Sequence, residues 1–548
     1  MTSTVIDAGD DLPLTLGALS RRQARTLGEH LFLVCDDVRL SYAQADVRSR
    51  RLARGLLAAG VRKGSHVALL YPYGAEFVIG MLAAARIGAV VLPLSTLSTA
   101  DELRGLLRNS DAGYLLATAA FRSHRFTDVL QKAFPELDCT RPPPIRSVTA
   151  PWLRKIWFSG SIPEGSDVGW SIDALESSAS TVDETYLDAV EQRVGPADRL
   201  AIIHTSGSTG APKGVIHTHG SLLRTLNNIN EIRAYGSDQV LFGTAPWFWV
   251  AGFSWSLLAS FLAGARVVAT NATATGDILD FLERERPTFT LGYAQTIARL
   301  TADPTYPNRD FSSVRRGNLW PILAPDIRPR DPSLRHTIYG MTEVGGSITL
   351  CPDESDLPER LRGSGGKVLP GFEAKIVDAE TGKQCATGEL GELWIRGAFM
   401  MEGYYGKHRS EVFEPDGWWR TADVGAFDSE GFFYLKGRMG DMIKTAGANV
   451  APREVEAALS PLVDGVQSIV LGLPDNDRGQ IVAAAVITDG DIDETGLKRG
   501  LAEKLSSYKV PRHIIPLKGA ELPLLSTGKV DMRKLMALVQ ERCSKRPG

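Results

Sequence analysis

Apolar and polar positions along the first 300 residues follow the order expected of parallel sheets covered by helices. Continuous apolar runs at His66–Leu70 and Ala89–Leu92 predict buried strands. Stretches with helical spacing at Ala43–Ala59 and Ala75–Ile87 predict helices between them. Strands that alternate with helices indicate βαβ units and mostly parallel sheets. The segment Arg141–Asp198, rich in Pro, Ser, Gly and Asp, is predicted to be an irregular connection.

The pattern changes after Gly363. Short strand-like runs between Gly- and Asp-containing turns predict a β-rich piece at Ala374–Val377, Gly391–Ile395 and Phe432–Lys436. From about Arg438 onward, a compact α/β unit is predicted with helices at Glu454–Leu459 and Asp493–Leu505 and strands at Ser468–Gly472 and Val482–Ile487. The predicted fold class is α/β, with a large N-terminal domain of α/β subdomains plus a small β-rich subdomain and then a small C-terminal α/β domain.

Length and composition narrow the function classes. A chain of 548 residues is too long for one hydrophobic core, so at least two domains are expected. The net charge of −3 offers no basic surplus, so we expect no nucleic-acid partner. Polar residues and glycines interrupt the apolar stretches Phe77–Leu94 and Val250–Ala269, so no transmembrane segment is expected. Five scattered cysteines and an acidic N-terminus without a signal-peptide pattern favour a cytoplasmic location.

A run of small hydroxyl residues and glycines directly follows the apolar strand Leu200–Ile203. Such residues let the backbone approach phosphate oxygens closely, and a lysine adds a compact cation. The run lacks the GxxxxGK[ST] and GxGxxG spacings, which disfavours kinases of that type and dehydrogenases. The candidate phosphate-binding residues are Thr205, Ser206, Gly207, Ser208, Thr209, Gly210 and Lys213.

Three further segments carry candidate chemistry. The first is Tyr339-Gly340-Met341-Thr342-Glu343. The second, Gly417–Asp423, is followed by a stretch that ends at Arg438, and its Asp423 is suited to accept hydrogen bonds from both hydroxyls of a ribose. The third is Ser526-Thr527-Gly528-Lys529 near the C-terminus.

In this order and spacing, the four segments resemble the adenylate-forming superfamily, and within it the acyl-CoA synthetases of the AMP-dependent synthetase and ligase family. The resemblance runs from about Leu40 to Leu535. It implies an ATP-dependent carboxylic acid:CoA ligase that forms an acyl-AMP and then a thioester. ATP, Mg²⁺ and coenzyme A are the implied cofactors.

The resemblance also implies roles for individual residues. The loop from Thr205 to Lys213 would hold the β- and γ-phosphates, Glu343 and Thr205 would bind Mg²⁺, and Thr342 would contact the α-phosphate. Tyr339 would lie in the nucleotide site, while Asp423 and Arg438 would bind the ribose. Lys529 would bridge the substrate carboxylate and the α-phosphate.

The resemblance to the adenylate-forming superfamily also implies a mobile C-terminal domain. Residues 1–438 would form the large AMP-binding domain and residues 439–548 the small domain, with a hinge near Gly440, where relatives often carry Asp or Lys. The loop that contains Lys444 and Gly447 resembles the CoA-ligase version, which favours CoA as the acceptor.

Two departures from the family concern the substrate. The stretch Ser313–His336 lacks the glycine-rich turn that lines the adenine pocket and is shorter, so this pocket would be rebuilt around Asn318 to Ile322. Trp249 replaces a common histidine, and it either lines the acyl site or packs with Phe253 and Trp255. Gly340 lacks the tryptophan that narrows the acetate pocket of acetyl-CoA synthetases, which favours a medium- or long-chain fatty acid or an aryl acid. The candidate substrate-binding residues are Trp249, Val250, Gly252, Gly340 and Met341.

Two alternatives remain open from the sequence. An acyl-AMP ligase would load the pantetheine of an acyl carrier protein instead of free CoA. A catalytically silent homologue would bind nucleotide or acyl groups on the same fold. A homodimer is compatible with either.

Overall fold

The computed structural model describes residues 12–205, 212–292, 299–335, 338–439, 443–445, 448–450, 452–475, 478–505, 509–525 and 528–545. The fold is mixed α/β, as predicted, with a large N-terminal and a small C-terminal part. The chain divides into two compact units. Among the described residues, the large unit comprises 12–373 and 396–417, and the small unit comprises 374–395 and 418–545. Gly440 lies outside the described residues, so a hinge there stays a prediction.

A seven-stranded sheet organises the large unit. Its strands lie in the order Gly403–Tyr404, Lys213–Thr218, Arg199–Thr205, Val90–Pro93, His66–Leu70, Tyr114–Thr118 and Lys155–Ser159. The last five are parallel, while Lys213–Thr218 is antiparallel to both of its neighbours. The strand predicted at His66–Leu70 has these same bounds. Its last four residues are buried, as expected of a parallel strand covered on both faces.

A second, six-stranded sheet lies in the same unit, in the order Arg316–Gly317, Phe289–Leu291, Val240–Gly243, Arg266–Ala269, Leu31–Cys35 and Val38–Ser41. Only its last pair is antiparallel. Two smaller sheets join Tyr339–Met341, Gly346–Leu350 and Lys367–Val368, and Ala120–Phe121 with His124–Arg125. The mostly parallel order confirms the prediction from alternating strands and helices.

Helices cover these sheets. They are Leu16–Leu27, Tyr42–Ala58, Ala75–Arg86, Ala100–Asn109, Phe126–Ala133, Ile172–Ser177, Glu184–Gln192, His219–Ile232, the π-helical Ala251–Leu258, Ala259–Ala263 and Thr275–Glu285. Capping boxes start three of them, because the hydroxyls of Ser41, Thr99 and Thr218 accept backbone N–H groups of the first turn.

The segment Arg141–Asp198 is more ordered than predicted. It contributes the edge strand Lys155–Ser159 to the seven-stranded sheet, where the strand pairs in parallel with Tyr114–Thr118. The apolar run Ile156-Trp157-Phe158 is buried in this strand. The expectation of an irregular connection was therefore wrong for this part, since three apolar residues were outweighed by the Pro- and Gly-rich flanks.

A buried ion network joins the first helices of the large unit. Arg86 is fully buried at the end of Ala75–Arg86, and its guanidinium bonds Asp46 and, at 2.8 Å, Glu191. The hydroxyls of Ser20 and Ser49 accept from the same guanidinium at 2.7 Å and 3.1 Å. Every side of this buried charge therefore meets an acceptor, which a charge in the interior requires.

The helix Leu16–Leu27 depends on residues far along the chain. The backbone N–H of Leu16 donates to Nδ1 of His219 at 3.1 Å. The side-chain amide of Gln23 donates to the carbonyl oxygens of Phe261 and Leu262, at 2.7 Å and 2.9 Å. These contacts connect the first described helix to segments that follow it by more than 200 residues.

The small unit contains two sheets. The four-stranded sheet has the order Phe372–Val377, Gly391–Gly397, Trp419–Phe427 and Phe433–Arg438. The five-stranded sheet has the order Ala448–Val450, Ile443–Thr445, Gly479–Ile487 and Ser468–Asp475, with His513–Leu517 beside Gly479–Ile487. The helices are Pro452–Leu459, Glu494–Ala502 and Met532–Ser544. Alternate residues of the five-stranded sheet enter two separate hydrophobic cores, so both of its faces are covered.

Among the described residues, no helix is long and apolar enough to span a membrane.

Candidate active site

The two ends of the candidate phosphate loop lie side by side in the large unit. Thr205 ends the strand Arg199–Thr205, and Lys213 begins the antiparallel strand Lys213–Thr218. The two residues pair directly with each other. The intervening candidates Ser206, Gly207, Ser208, Thr209 and Gly210 lie outside the described residues. A short loop closed by this strand pair has both ends fixed, which suits a loop that must meet phosphate oxygens with its backbone.

The dipeptide Thr342-Glu343 lies in a short 3₁₀ turn that follows the strand Tyr339–Met341. Its backbone is held from two directions. Nε2 of His217 lies 2.7 Å from the carbonyl oxygen of Thr342, and the N–H of Met401 donates to the carbonyl oxygen of Glu343 at 2.8 Å. His217 belongs to the strand that Lys213 begins, so the phosphate loop and the Thr342-Glu343 turn share one support.

The carboxylate of Glu343 has a specific partner. The phenol O–H of Tyr404 donates to Oε1 of Glu343 at 2.7 Å. Nζ of Lys213 lies 5.2 Å from the centroid of the Tyr404 ring, within the usual range of a cation–π contact. Tyr404 therefore contacts both the predicted metal-binding residue and the predicted phosphate-binding lysine.

The residues present fit a magnesium ion. Glu343 supplies a carboxylate and Thr205 a hydroxyl, and oxygen ligands are those that Mg²⁺ prefers. No cluster of three or more His, Cys, Asp or Glu residues occurs in the part of the chain that the structure describes. This agrees with the usual binding of Mg²⁺ by one or two carboxylates together with substrate phosphates and waters.

The predicted acyl residues Gly340 and Met341 lie in a hairpin with the strand Gly346–Leu350. An added Cβ at Gly340 would lie 2.1 Å from the carbonyl oxygen of Gly346 and 2.8 Å from Cα of Ser347. The glycine is thus required by the close pairing of two backbones. A tryptophan could not be accommodated at this position without displacement of the hairpin. The lack of a side chain at Gly340 is therefore explained by the pairing of the two strands as well as by the room needed for an acyl group.

The other predicted acyl segment approaches the same hairpin. The indole Nε1 of Trp255, in the π-helix, would lie 2.2 Å from a Cβ at Gly346, and Gly346 pairs with Met341. Gly252, the second residue of this helix, lies against the backbone of Pro246, whose carbonyl oxygen would be 2.1 Å from an added Cβ. The π-helix that begins within the first predicted substrate segment therefore contacts the strand that pairs with the second. π-Helical turns are frequent at functional sites.

The aromatic residues before the π-helix divide into two roles. Trp247 is buried, with its ring 5.1 Å from Tyr73 and 5.4 Å from Phe77, both in edge-to-face geometry. Trp249 and Val250 are only half-buried. Trp247 is thus a core aromatic, while Trp249 retains an accessible surface.

In the stretch Ser313–His336, where a rebuilt adenine pocket is predicted, Asn318 bonds the backbone of Gly292. The side-chain amide of Asn318 accepts from the N–H of Gly292 and donates to its carbonyl oxygen, both at 2.9 Å. Gly317 has φ of +115°, a conformation that favours glycine. Trp320–Ile322 then forms a 3₁₀ turn with Ile322 in the core. The side chain of Asn318 thus takes the place of a neighbouring backbone at Gly292, directly after the strand Phe289–Leu291.

The predicted ribose-binding pair lies in the small unit. Asp423 and Arg438 occupy paired positions on neighbouring antiparallel strands, and Nε of Arg438 lies 3.1 Å from Oδ1 of Asp423. Asp423 is mostly buried, whereas more than half of Arg438 is exposed. The sequence prediction that Arg438 lies beside Asp423 agrees with this geometry.

Lys529 is an exposed residue of the small unit. Its carbonyl oxygen accepts from the N–H of Leu525 at 2.7 Å, and Leu524 pairs with Val530. Of the two CoA-loop candidates, Lys444 lies in the strand Ile443–Thr445 with its side chain undescribed, and Gly447 lies outside the described residues.

Two buried histidines support the phosphate-binding region. Burial lowers the pKa of His217 and of His219 to about 4, so both rings are neutral at pH 7. Since Nε2 of His217 bonds a carbonyl oxygen, it carries the hydrogen, and Nδ1 of His217 is buried without a partner. Nδ1 of His219 accepts a backbone N–H, which requires its unprotonated form.

Sequence reasoning did not single out Tyr404 or His217. Tyr404 is 61 residues from Glu343, and nothing local marks it beyond the Gly-Tyr-Tyr sequence that begins at Gly403. His217 follows the phosphate loop in a strand with four consecutive buried residues, where a histidine resembles a core residue. Only the pairing of the two strands places both beside the Thr342-Glu343 turn.

Two family models match the chain. The model described as AMP-binding enzyme matches residues 20–405. The model described as AMP-binding enzyme C-terminal domain matches residues 454–529. The first match includes the phosphate loop and Glu343, and the second ends at Lys529.

Relatives resemble the chain over nearly its full length. The putative acyl-CoA synthetase YngI of Bacillus subtilis is 30% identical over 95% of this chain and 96% of its own. Feruloyl-CoA synthase of an Amycolatopsis species is 30% identical over 94% of this chain and 97% of its own. Among solved structures, the anthranilate CoA ligase AuaEII in complex with anthranoyl-AMP superposes with a TM-score of 0.81, at 24% identity and over 97% of this chain and 99% of its own. At this identity, the similarity to the anthranilate CoA ligase structure supports the fold alone.

Proposed function

Because this chain belongs to the AMP-binding enzyme family, as an AMP-forming acid–CoA ligase, we propose that it activates a carboxylic acid as an acyl-AMP and transfers the acyl group to CoA. In the first step, a carboxylate oxygen bonds to the α-phosphorus of ATP while the bond to the β-phosphate oxygen breaks and pyrophosphate leaves. In the second step, the CoA sulfur bonds to the acyl carbon and AMP leaves. The observation that carries this proposal is the contact of Tyr404 with both Glu343 and Lys213.

The residues take the following roles in this proposal. The loop from Thr205 to Lys213 holds the polyphosphate, and Thr342 contacts the α-phosphate. Glu343 and Thr205 hold Mg²⁺, which supplies positive charge to the phosphate oxygens when bound. Asp423 and Arg438 bind the ribose, and Lys529 bridges the carboxylate and the α-phosphate.

Electrostatics explains why these residue types suffice. A substrate carboxylate has an ordinary pKa of about 4 and is ionised at neutral pH, so no general base is needed. The barrier comes from placing one anion against a phosphorus surrounded by others. Lys213 and Lys529 offset this repulsion by position and charge. We propose that the small domain, residues 439–548, rotates near Gly440 between the two steps.

The substrate is proposed to be an aryl acid or a medium- or long-chain fatty acid. On either side of the acyl segment, several buried side-chain atoms have no hydrogen-bond partner among the residues that the structure describes, namely Thr244 Oγ1, Ser254 Oγ, Trp255 Nε1 and Ser256 Oγ. Buried polar atoms without partners are costly, and polar groups on a bound acid would pair with them. This supports an aryl acid with hydrogen-bonding substituents over a long alkyl chain. Feruloyl-CoA synthase, 30% identical to this chain, is named for an acid of that kind.

The test is pyrophosphate release with Mg-ATP and a panel of acids, each with and without CoA. The panel contains acetate, octanoate, palmitate, benzoate and a hydroxylated cinnamate. Acid-dependent release that turns over repeatedly only with CoA, and fastest with the hydroxylated aryl acid, is the expected result.

Other outcomes of this experiment decide against parts of the proposal. Release that stays stoichiometric despite CoA would replace CoA with a carrier-protein pantetheine as acceptor. Fastest turnover with palmitate would overturn the aryl assignment. No release with any acid, while ATP still binds, would leave a catalytically silent fold.

A further inference from the structure

Resting on the proposed function, we propose that Tyr404 is a positioning residue that orients the metal-binding carboxylate of Glu343 and the phosphate-binding amine of Lys213 together. The phenol O–H acts on Oε1 of Glu343 at 2.7 Å. The ring face makes a cation–π contact with Nζ of Lys213, which lies 5.2 Å from the centroid of the Tyr404 ring. Tyr404 would contact neither substrate nor metal, and its effect passes through these two side chains.

The position of Tyr404 is itself fixed by the sheet. Gly403–Tyr404 is the edge strand of the seven-stranded sheet, and Tyr404 pairs with Val215, two residues after Lys213. The flanking backbone N–H groups of Glu402 and Tyr405 donate to the carbonyl oxygens of Ile216 and Gly214, at 2.9 Å and 2.8 Å. The edge strand cannot slide without the loss of these bonds.

An ion pair attaches the same edge to Arg199–Thr205, the strand beyond its direct neighbour Lys213–Thr218. Both carboxylate oxygens of Glu402 accept from the guanidinium of Arg199, including an Nε bond of 2.9 Å to Oε2. Arg199 begins the strand that ends at Thr205. Residues on both sides of the phosphate loop therefore hold the segment that carries Tyr404.

The hydrogen bond restricts how Glu343 meets a cation. A carboxylate alone can rotate about its last side-chain bond, and its two oxygens are equivalent. With Oε1 committed to Tyr404, the rotation is fixed and Oε2 is the oxygen left for a cation. Groups that orient a metal ligand in this way commonly change metal affinity 10- to 100-fold when removed.

The ring contact acts on the lysine separately. An ammonium group over an aromatic face is attracted by the negative charge of that face. The flexible four-carbon stem of Lys213 is thereby kept near the strand from which the loop departs. Two substitutions can separate the hydrogen bond to Glu343 from the ring contact with Lys213. Phenylalanine keeps the ring and loses the hydroxyl, whereas leucine keeps neither.

The experiment compares Tyr404→Phe, Tyr404→Leu and the matched control Tyr405→Phe in the full-length protein. Tyr405 is the adjacent residue, and its phenol donates to Asp111 at 2.7 Å on an exposed surface. Mn²⁺ is titrated in the presence of an ATP analogue with a methylene group between the α- and β-phosphorus, and unbound Mn²⁺ is followed by electron paramagnetic resonance. Binding of AMP and of the analogue in EDTA is measured in parallel.

We expect Tyr404→Phe to weaken Mn²⁺ binding about tenfold, with AMP binding in EDTA unchanged. Tyr404→Leu should weaken Mn²⁺ binding equally and also weaken binding of the analogue without metal, because the lysine loses its support. Tyr405→Phe should match the wild type in both measurements. Equal Mn²⁺ affinity in Tyr404→Phe and the wild type would overturn the positioning role.

The readouts also separate this inference from the proposed function. If the wild type binds no Mn²⁺ with the analogue, the proposed metal site itself fails. If it does bind, only the comparison with Tyr404→Phe bears on Tyr404. A general loss of AMP binding in Tyr404→Phe would indicate a merely structural role and would also overturn the inference.

Discussion

Nε2 of His217 donates to the backbone carbonyl oxygen of Thr342 across 2.7 Å, although the two residues are 125 positions apart. The bond joins the strand that leaves the phosphate loop to the turn that carries Glu343. Protonation of the buried Nδ1 of His217 would place an unpaired charge at this junction. The region should therefore be sensitive to acid.

The first prediction is that stability falls as pH decreases from about 6.5 towards 4. Burial lowers the pKa of His217 and His219 to about 4 in the folded chain, whereas an unfolded histidine titrates near 6.5. In this window the unfolded state binds more protons, so each histidine lowers stability by up to about 1.4 kcal/mol per pH unit as pH falls. The contribution is fully present above pH 6.5.

Urea midpoints measured at a series of pH values check this prediction. His217→Gln should reduce the acid-dependent loss, because glutamine donates to Thr342 without a titrating group. A pH slope in His217→Gln equal to that of the wild type would show that His217 does not titrate in this window.

A second prediction concerns Gly340. Gly340→Ala should destabilise the large unit by about 1–3 kcal/mol, since the new Cβ would collide with backbone atoms of Gly346 and Ser347 that cannot move freely. Thermal unfolding is the measurement. The control is Gly105→Ala, in the middle of a helix and with nothing within 4 Å of its Cβ. This control should raise stability by about 0.5–1 kcal/mol, and a drop of similar size in both variants would contradict the steric argument.

A third prediction concerns the buried guanidinium of Arg86. Arg86→Met should cost about 3–5 kcal/mol, because Glu191 and Asp46 would keep buried charges with fewer partners. The exposed pair of Arg315 with Asp326 has two 2.8 Å bonds, so Arg315→Met is the matched control. Arg315→Met should lower the free energy of unfolding by at most about 1 kcal/mol. Chemical denaturation gives the free energy of unfolding of each variant. Equal losses in Arg86→Met and Arg315→Met would mean that burial of the ion network makes no difference to its contribution.

A fourth prediction separates the two proposed steps. Lys529→Ala should slow acid-dependent pyrophosphate release by about 100-fold or more, because a cation aimed at the developing charge is lost. Thioester formation from supplied acyl-AMP and CoA should change little. The control is Lys534→Ala, on the same unit and 73% exposed. Equal loss in both half-reactions would argue against a role restricted to the first.

The sequence predicted regular elements best where a whole element was apolar. The bounds of His66–Leu70 matched, and Ala75–Ile87 differed from the observed helix Ala75–Arg86 by one residue. The strand Lys155–Ser159 was missed because it is short and surrounded by loop-forming residues. Its pairing partner, which makes it a strand, lies some 40 positions earlier in the sequence and cannot be read locally.

The candidate site was predictable where each residue belongs to a recognisable segment. Thr205, Lys213 and Glu343 became candidates in this way, and Arg438 does lie beside Asp423. Tyr404 did not, because the role proposed for it comes from a hydrogen bond between an edge strand and a turn that are 61 residues apart in the sequence. The steric requirement at Gly340 was equally hidden, since it depends on the register of a hairpin rather than on residue type.

The contacts of the helix Leu16–Leu27 have a consequence for biosynthesis. Gln23 reaches its acceptors only after Leu262 has been made, and at 5–20 residues per second this takes roughly 12–47 s after the helix itself. During that time the nascent helix exposes its apolar face and lacks its final partners. Synonymous codon changes that slow translation between these two segments should therefore lengthen the period in which a chaperone can bind the nascent chain.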